Sequence, residues 1–192
     1  MGFELRLNTP RLSPLPEDKW DGEILEILDK SKMNGRVLNI FRTLARHPKL
    51  LKRWMVFANH IMLKSSLAAR DREILILRIG WLCQAEYEWG QHVLIGIEAG
   101  LTPGEIERIK TGAQSSGWDD RDKLLIMAVD ELHNDSFISD ETWNKLARIY
   151  DDEQLIDLVF TVGQYNLVSM ALNTLGVQLD EGVPGFENSP TV

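Results

Sequence analysis

From Leu158 to Leu179 the chain carries no Asp, Glu, Lys or Arg, and that run limits the fold more than any other feature. It is long enough to cross a bilayer, which takes about 20 apolar residues. Thr161, Gln164, Asn166, Ser169, Asn173, Thr174 and Gln178 interrupt it, however, with groups that need hydrogen-bonding partners. The expectation is therefore a buried helix inside a helical bundle, with no membrane partner.

The remaining sequence points to the same all-α class. Between residues 17 and 177 apolar positions recur at helical spacing or form fully apolar helical runs, and the period-two alternation of strands is missing. Pro10, Pro14 and Pro16 favour an extended arm over residues 1–16. Helices are expected from Glu17 to about Lys30, Asn39 to Arg46, Pro48 to about Leu63, Ala68 to Gln84 and Glu86 to Ala99. Thr102, Pro103 and Glu105 have the spacing of a capping box with proline at the first helical position. A Gly/Ser-rich loop follows over 111–118. Further helices are expected from Asp119 to about Asn134, from Ser139, and from Asp152 to about Leu175. The organisation is one domain over 17–182, with a tail over 183–192 that lacks periodicity and is expected to be mobile or docked on a neighbouring subunit.

Composition narrows the function classes. The 192 residues include 29 acidic and 21 basic side chains, a net charge of −8, and no stripe of Lys or Arg. Nucleic-acid binding is disfavoured, because it rests on a concentrated basic surface. The single cysteine, Cys83, excludes an intramolecular disulfide and fits a reducing cytoplasm. No secretory pattern opens the chain. A glycine-rich phosphate loop, a serine-nucleophile elbow, a zinc-spaced Cys/His set and a βαβ pattern are all missing. Six tryptophans and the uncharged helix supply more apolar surface than a thin bundle hides, so a homo-oligomer is expected.

Chemistry concentrates between Arg70 and His92. Glu73 falls on one expected helix; Glu88 and His92, four apart, share a face of the next. Glu88 could fix one tautomer of the imidazole while the other ring nitrogen faces a substrate, a minimal acid–base kit near neutral pH. Glu73 sits among Ile74, Leu75, Ile76 and Leu77. A carboxylate buried there needs a partner, and Arg70, Arg72, Arg78 and His92 are available. Counting from a turn at 84–86 puts the Glu73 and His92 backbones roughly 7 Å out of register, a gap that a long side chain can partly cover. The three residues are expected to converge in a pocket near a subunit interface. Arg78 could bind a substrate carboxylate. Tyr165 and Asn173, about 80° apart around their helix, could look into one cavity. With no second histidine in register, neither a metal nor a cofactor is expected. Trp81, Tyr87 and Trp89 read as core or interface, and Glu86 as a cap or solvent-facing group.

The run Arg72-Glu-Ile-Leu-Ile-Leu-Arg78, then Glu88-X-X-X-His92, then Gly100-Leu-Thr-Pro-Gly-Glu-Ile106 resembles the carboxymuconolactone decarboxylase family and its alkylhydroperoxidase D-like relatives. The resemblance covers roughly residues 39–177. It implies an all-helical bundle around a helix hairpin, assembling as trimers or hexamers. The peroxidase branch carries Glu, Cys-X-X-Cys and His; matched here, these fall on Glu73, Ala85, Glu88 and His92, so both thiols are missing. Cys83 lies two residues before the first thiol position, about 200° away on a continuous helix. The decarboxylase branch matches Glu88 and His92, and Tyr165 ahead of Ala171-Leu-Asn173. The longer 111–150 region is typical of the other branch, and the chain looks like a cysteine-poor subgroup between the two. The resemblance implies cofactor-independent decarboxylation or isomerisation of a small carboxylated lactone or ring compound, with His92 protonating carbon and Glu88 orienting it. The alternatives are a peroxiredoxin-type oxidoreductase and a non-catalytic oligomeric binding protein.

Overall fold

The computed structural model describes residues 7–32 and 35–187; the first six residues of the expected arm and the last five of the tail lie outside them. Among the described residues there are nine α-helices and no β-strand: α1 Gly22–Asp29, α2 Asn39–Leu44, α3 Pro48–Leu63, α4 Ala69–Leu82, α5 Glu86–Glu98, α6 Pro103–Thr111, α7 Asp120–Asp135, α8 Asp140–Leu146 and α9 Asp152–Leu175. One expected helix is broken. Glu17–Lys19 form a single 3₁₀ turn, and α1 starts afresh because the Asp21 side chain accepts from Ile24 N and caps a new first turn. The capping box at Thr102 and Glu105 forms as its spacing requires.

The bundle is organised around α4, which packs against α5, α6, α7 and α9. Ile74, Leu75, Ile76, Leu77 and Ile79 are fully buried, so α4 shows no polar stripe, as befits a helix surrounded on all sides. Its charged residues are paired. Arg70 forks onto Asp122 and also reaches Glu105, while Asp71 accepts from Arg121 and from the Tyr150 hydroxyl. The uncharged helix, α9, is long and apolar enough to cross a membrane. It lies in the bundle against α3, α4, α5 and α7, with Thr161, Gln164 and Ser169 buried. A second cluster (Ile24, Ile27, Leu28, Ala45 and Leu51) seats α1 on α3. A third joins α2 to α5 and α9 through Ile40, Tyr87, Val168 and Leu172.

The described part of the tail, from Val183 to Glu187, packs on its own chain. Phe186 sits edge-on to Trp81 at 5.1 Å and 6.0 Å from Trp89. Its backbone N donates to Glu86 Oε1 (3.1 Å) and its carbonyl accepts from Lys110 Nζ (3.0 Å). Glu86 is thus neither a cap nor solvent-facing: it anchors the strap. The strap crosses α5 at Gly90, where a Cβ would collide with the Pro184 carbonyl oxygen and lie 2.8 Å from Val183 Cγ1. Gly90→Ala is expected to lift the strap, lowering stability by about 1–3 kcal/mol, the usual cost of overpacking. Chemical denaturation checks the first effect, and limited proteolysis should cut the tail faster than in the wild type.

Candidate functional site

The α4–α5 hairpin builds the site. The chain reverses over Cys83–Ala85, with Gln84 in the left-handed region (φ 53°) and Ala85 N donating to Gly80 O. Further along the hairpin, a Cβ on Gly96 would lie 3.8 Å from Glu73 Cβ. Glu73 therefore stands opposite Gly96, one turn beyond His92, and its long side chain reaches back across that turn. The expected offset is present and the side chain spans it.

The result is a buried row of four ionisable groups. Glu73 Oε1 accepts from Arg72 Nε (3.1 Å) and Nη2 (3.0 Å), and Glu73 Oε2 lies 2.5 Å from His92 Nδ1. His92 Nε2 is 2.9 Å from Glu88 Oε1. The side chains of Glu73, His92 and Glu88 are at most 6% exposed. Burial alone would drive the imidazole toward its neutral form. The Glu73 charge and hydrogen bond, then those of Glu88, outweigh this and push the His92 pKa up to about 10. The row Arg72⁺, Glu73⁻, His92⁺, Glu88⁻ is neutral as a whole, which is how buried charges are tolerated.

The expectation that one ring nitrogen would face a substrate does not hold: both are held by carboxylates, because α4 presents Glu73 to the nitrogen that Glu88 leaves open. The group left to meet a ligand is Glu88. With His92 and Tyr165 it lines a cavity of about 310 Å³ whose other walls include Trp54, Met62 and Tyr87. Tyr165 stacks edge-on against His92 at 4.9 Å and donates to Met62 Sδ. Burial first, then the Glu88 and Glu73 charges, raise its pKa far above the ordinary phenol value, so it stays neutral.

Three other candidates go elsewhere. Arg78 is locked by Asp130 (Nε, 2.6 Å) and by the Ile109 and Lys110 carbonyls at the C-terminus of α6; it satisfies helix-end acceptors and does not line the cavity beside Tyr165. Asn173 Nδ2 donates to Cys83 O (2.8 Å) at the end of α4, away from the Tyr165 cavity. Cys83 does not line that cavity either: its thiol donates to Asn166 Oδ1 and lies 4.0 Å from His133 Nδ1. His60 pairs with Asp157. No group of three or more His, Cys, Asp or Glu among the described residues is disposed to hold a metal ion. Gln91, Trp54, Met62 and Gln164 were missed as cavity walls. Gln91 follows Glu88 by three residues, so helical spacing alone could have found it; the others depend on how α3 and α9 pack.

Residues 48–128, from the start of α3 into α7, match the carboxymuconolactone decarboxylase family. No curated protein is close enough in sequence to match. A peroxidase-related protein with an alkylhydroperoxidase D core from Ralstonia eutropha JMP134 is similar over 88% of this chain and 93% of that one, with 20% identity and a TM-score of 0.77. A peroxidase-related protein from Silicibacter sp. TM1040 is similar over 93% of each, with 16% identity and a TM-score of 0.73. The debrominase Bmp8, in complex with 2,3,4-tribromopyrrole, covers 91% of this chain and 94% of its own at 12% identity and a TM-score of 0.73. At such identities these structures speak for the fold alone. Over residues 48–128 the chain is similar to the carboxymuconolactone decarboxylase family, and its fold is that of the alkylhydroperoxidase D-like structures.

Proposed function

We propose that the protein is a cofactor-independent acid–base enzyme acting on a small carboxylated lactone or ring compound, by decarboxylation or isomerisation. The observation that carries this is the buried Glu73–His92–Glu88 row ending on a largely apolar cavity of about 310 Å³. A doubly held imidazolium is a proton reservoir, and Glu88, which holds its Nε2 and borders the cavity, is the group that moves the proton. In a decarboxylation the C–C bond breaks, CO₂ leaves, and the electron pair left on carbon takes a proton from His92 through Glu88; solvent restores it. In an isomerisation Glu88 removes a proton from one carbon and returns it to another. Glu73 favours the charged form of His92, so the ring regains its proton from solvent after a decarboxylation and keeps it through an isomerisation. The ring ligand of the debrominase is in keeping with a cavity of this fold taking a compact ring. A thiol peroxidase is the weaker reading, because Ala85 and Glu88 stand at the two cysteine positions and Cys83 lies outside the cavity.

We also propose that a second copy of the chain covers the outer face of α9, within a reducing cytoplasm. Ile156, Phe160, Leu167 and Met170 are each more than half exposed. With Gly163 between them they follow a four–three spacing, that of a helix seam. No charge falls on this helix after Asp157, so two copies of most of the face meet without like-charge repulsion.

Three outcomes test this. In a screen of lactones and carboxylated aromatic rings, Glu88→Gln and His92→Asn should each cut turnover by about 10²–10⁴-fold, the usual weight of a positioned acid–base group, while Cys83→Ser leaves it intact. Peroxide turnover lost in Cys83→Ser would reverse the assignment; binding without turnover in the wild type would make it a binding protein. The pH dependence has a definite sign. A folded pKa of about 10 against an ordinary 6.5 means that His92 stabilises the fold fully below pH 6.5 and loses that contribution as pH rises toward 10. The thermal midpoint should therefore fall progressively above pH 6.5, a slope that should flatten in His92→Asn, whereas turnover, which follows the proton on His92 in the fold, should hold until the pH nears 10. Finally, sedimentation should give a species larger than the 21.9 kDa chain, and Phe160→Glu with Leu167→Glu should shift it toward monomer.

A further inference from the structure

The inner cavity borders a larger chamber of about 1180 Å³. Lys32, Leu38, Gln91 and Ile95 line both. α2 divides them: Ile40 and Phe41 face the inner cavity, Asn39 and Arg42 the outer chamber. Arg42 is half-buried, its Nε is buried without a hydrogen-bond partner, and among the described residues it makes no ion pair. Such a group is costly unless something completes it. The indole Nε1 of Trp54, on the inner wall, is likewise buried and unpartnered. Both orphan groups along this path are donors, so the missing partner carries acceptor oxygens.

Among the described residues, the other cations around the outer chamber have acidic partners and Arg42 has none. Lys32 pairs with Asp29, and Arg36 lies 3.7 Å from Glu181. Asp180 already accepts from Asn39 N, the Tyr87 hydroxyl and Gln91 Nε2, and Glu17 and Glu98 are exposed at the rim. The α5 residues from Glu88 to Ile95 run along both compartments, about 10 Å of helix.

We propose that Arg42 binds the carboxylate of the substrate in the outer chamber while the ring occupies the inner cavity beside Glu88. The substrate class is then an acid with a compact apolar ring and a second acceptor oxygen. This rests on the acid–base reading of the same site, and it gives the carboxylate a receptor that Arg78, locked in the core, does not provide.

Calorimetry with coumarin-3-carboxylate and its neutral carboxamide, used as probes on the full chain, tests it. Wild type should bind the acid at least tenfold more tightly than the amide. Arg42→Gln should weaken the acid by about 10- to 100-fold, the weight of a charge-assisted pair, and leave the amide unchanged, with far-UV circular dichroism and thermal midpoint as in the wild type. Should Arg42→Gln fail to fold, Arg42→Lys carries the test: it keeps the charge but loses the planar fork, and should weaken the acid at least threefold. Acid and amide binding equally to wild type, neither binding at all, or an acid affinity indifferent to Arg42 would each overturn the proposal. The two readings fail separately. Glu88→Gln should bind the acid like wild type but not turn over; turnover that needs His92 but not Arg42 sinks only the carboxylate receptor, and acid binding through Arg42 with turnover indifferent to His92 sinks only the acid–base assignment.

Discussion

Charged side chains on a helix that has no exposed face are the constraint on which the structure turns. Burying them unpaired would cost several kcal/mol each, so α4 docks only where its partners are. Asp71 takes Arg121 at the start of α7, Glu73 takes His92 on α5, and Arg78 takes Asp130 on α7 together with the end of α6. Together the pairs specify α5, α6 and α7 as its neighbours. The apolar residues between them would pack against several partners equally well; the ion pairs choose which.

The same logic explains what the sequence could reveal. Helix positions were legible because periodicity and capping are local: Thr102 with Glu105, Asp151 with Gln154 and Ser139 with Thr142 each close a first turn within four residues. The Glu88–His92 pair was legible for the same reason. The Glu73–His92 contact was half legible, since the register follows from counting but the reach of the side chain across it depends on how α4 and α5 pack. Arg78 and Asn173 misled because an arginine in an apolar helix and an asparagine near a tyrosine look alike whether they face a ligand or a helix end. Only the fold reveals that both satisfy helix-terminal carbonyls.

The fate of the two positions that carry thiols in the peroxidase branch follows from the same electrostatics. Ala85 is fully buried at the start of α5, and Glu88 is held by His92. A thiolate at position 88 would sit beside an imidazolium that stabilises it; a carboxylate there uses the same positive partner without a redox couple. The Glu73–His92 unit is thus indifferent to whether its neighbour is sulfur or oxygen, needing only an anion. One scaffold can therefore serve thiol chemistry and proton chemistry through a change at the position that meets the cavity.

That indifference carries a consequence for how the site responds to substitution. If Glu73 chiefly stabilises the charge of His92, its replacement by glutamine leaves the ring hydrogen-bonded but removes the first cause of its raised pKa. Burial then pulls the imidazole toward neutrality, and Arg72 loses its carboxylate partner. Glu88 would face a neutral ring that accepts a proton where it previously supplied one, so the variant should favour proton removal over proton delivery. Loss of Glu73 is therefore a change in the direction of chemistry, whereas loss of Glu88 removes the only member of the row that both touches His92 and borders the cavity.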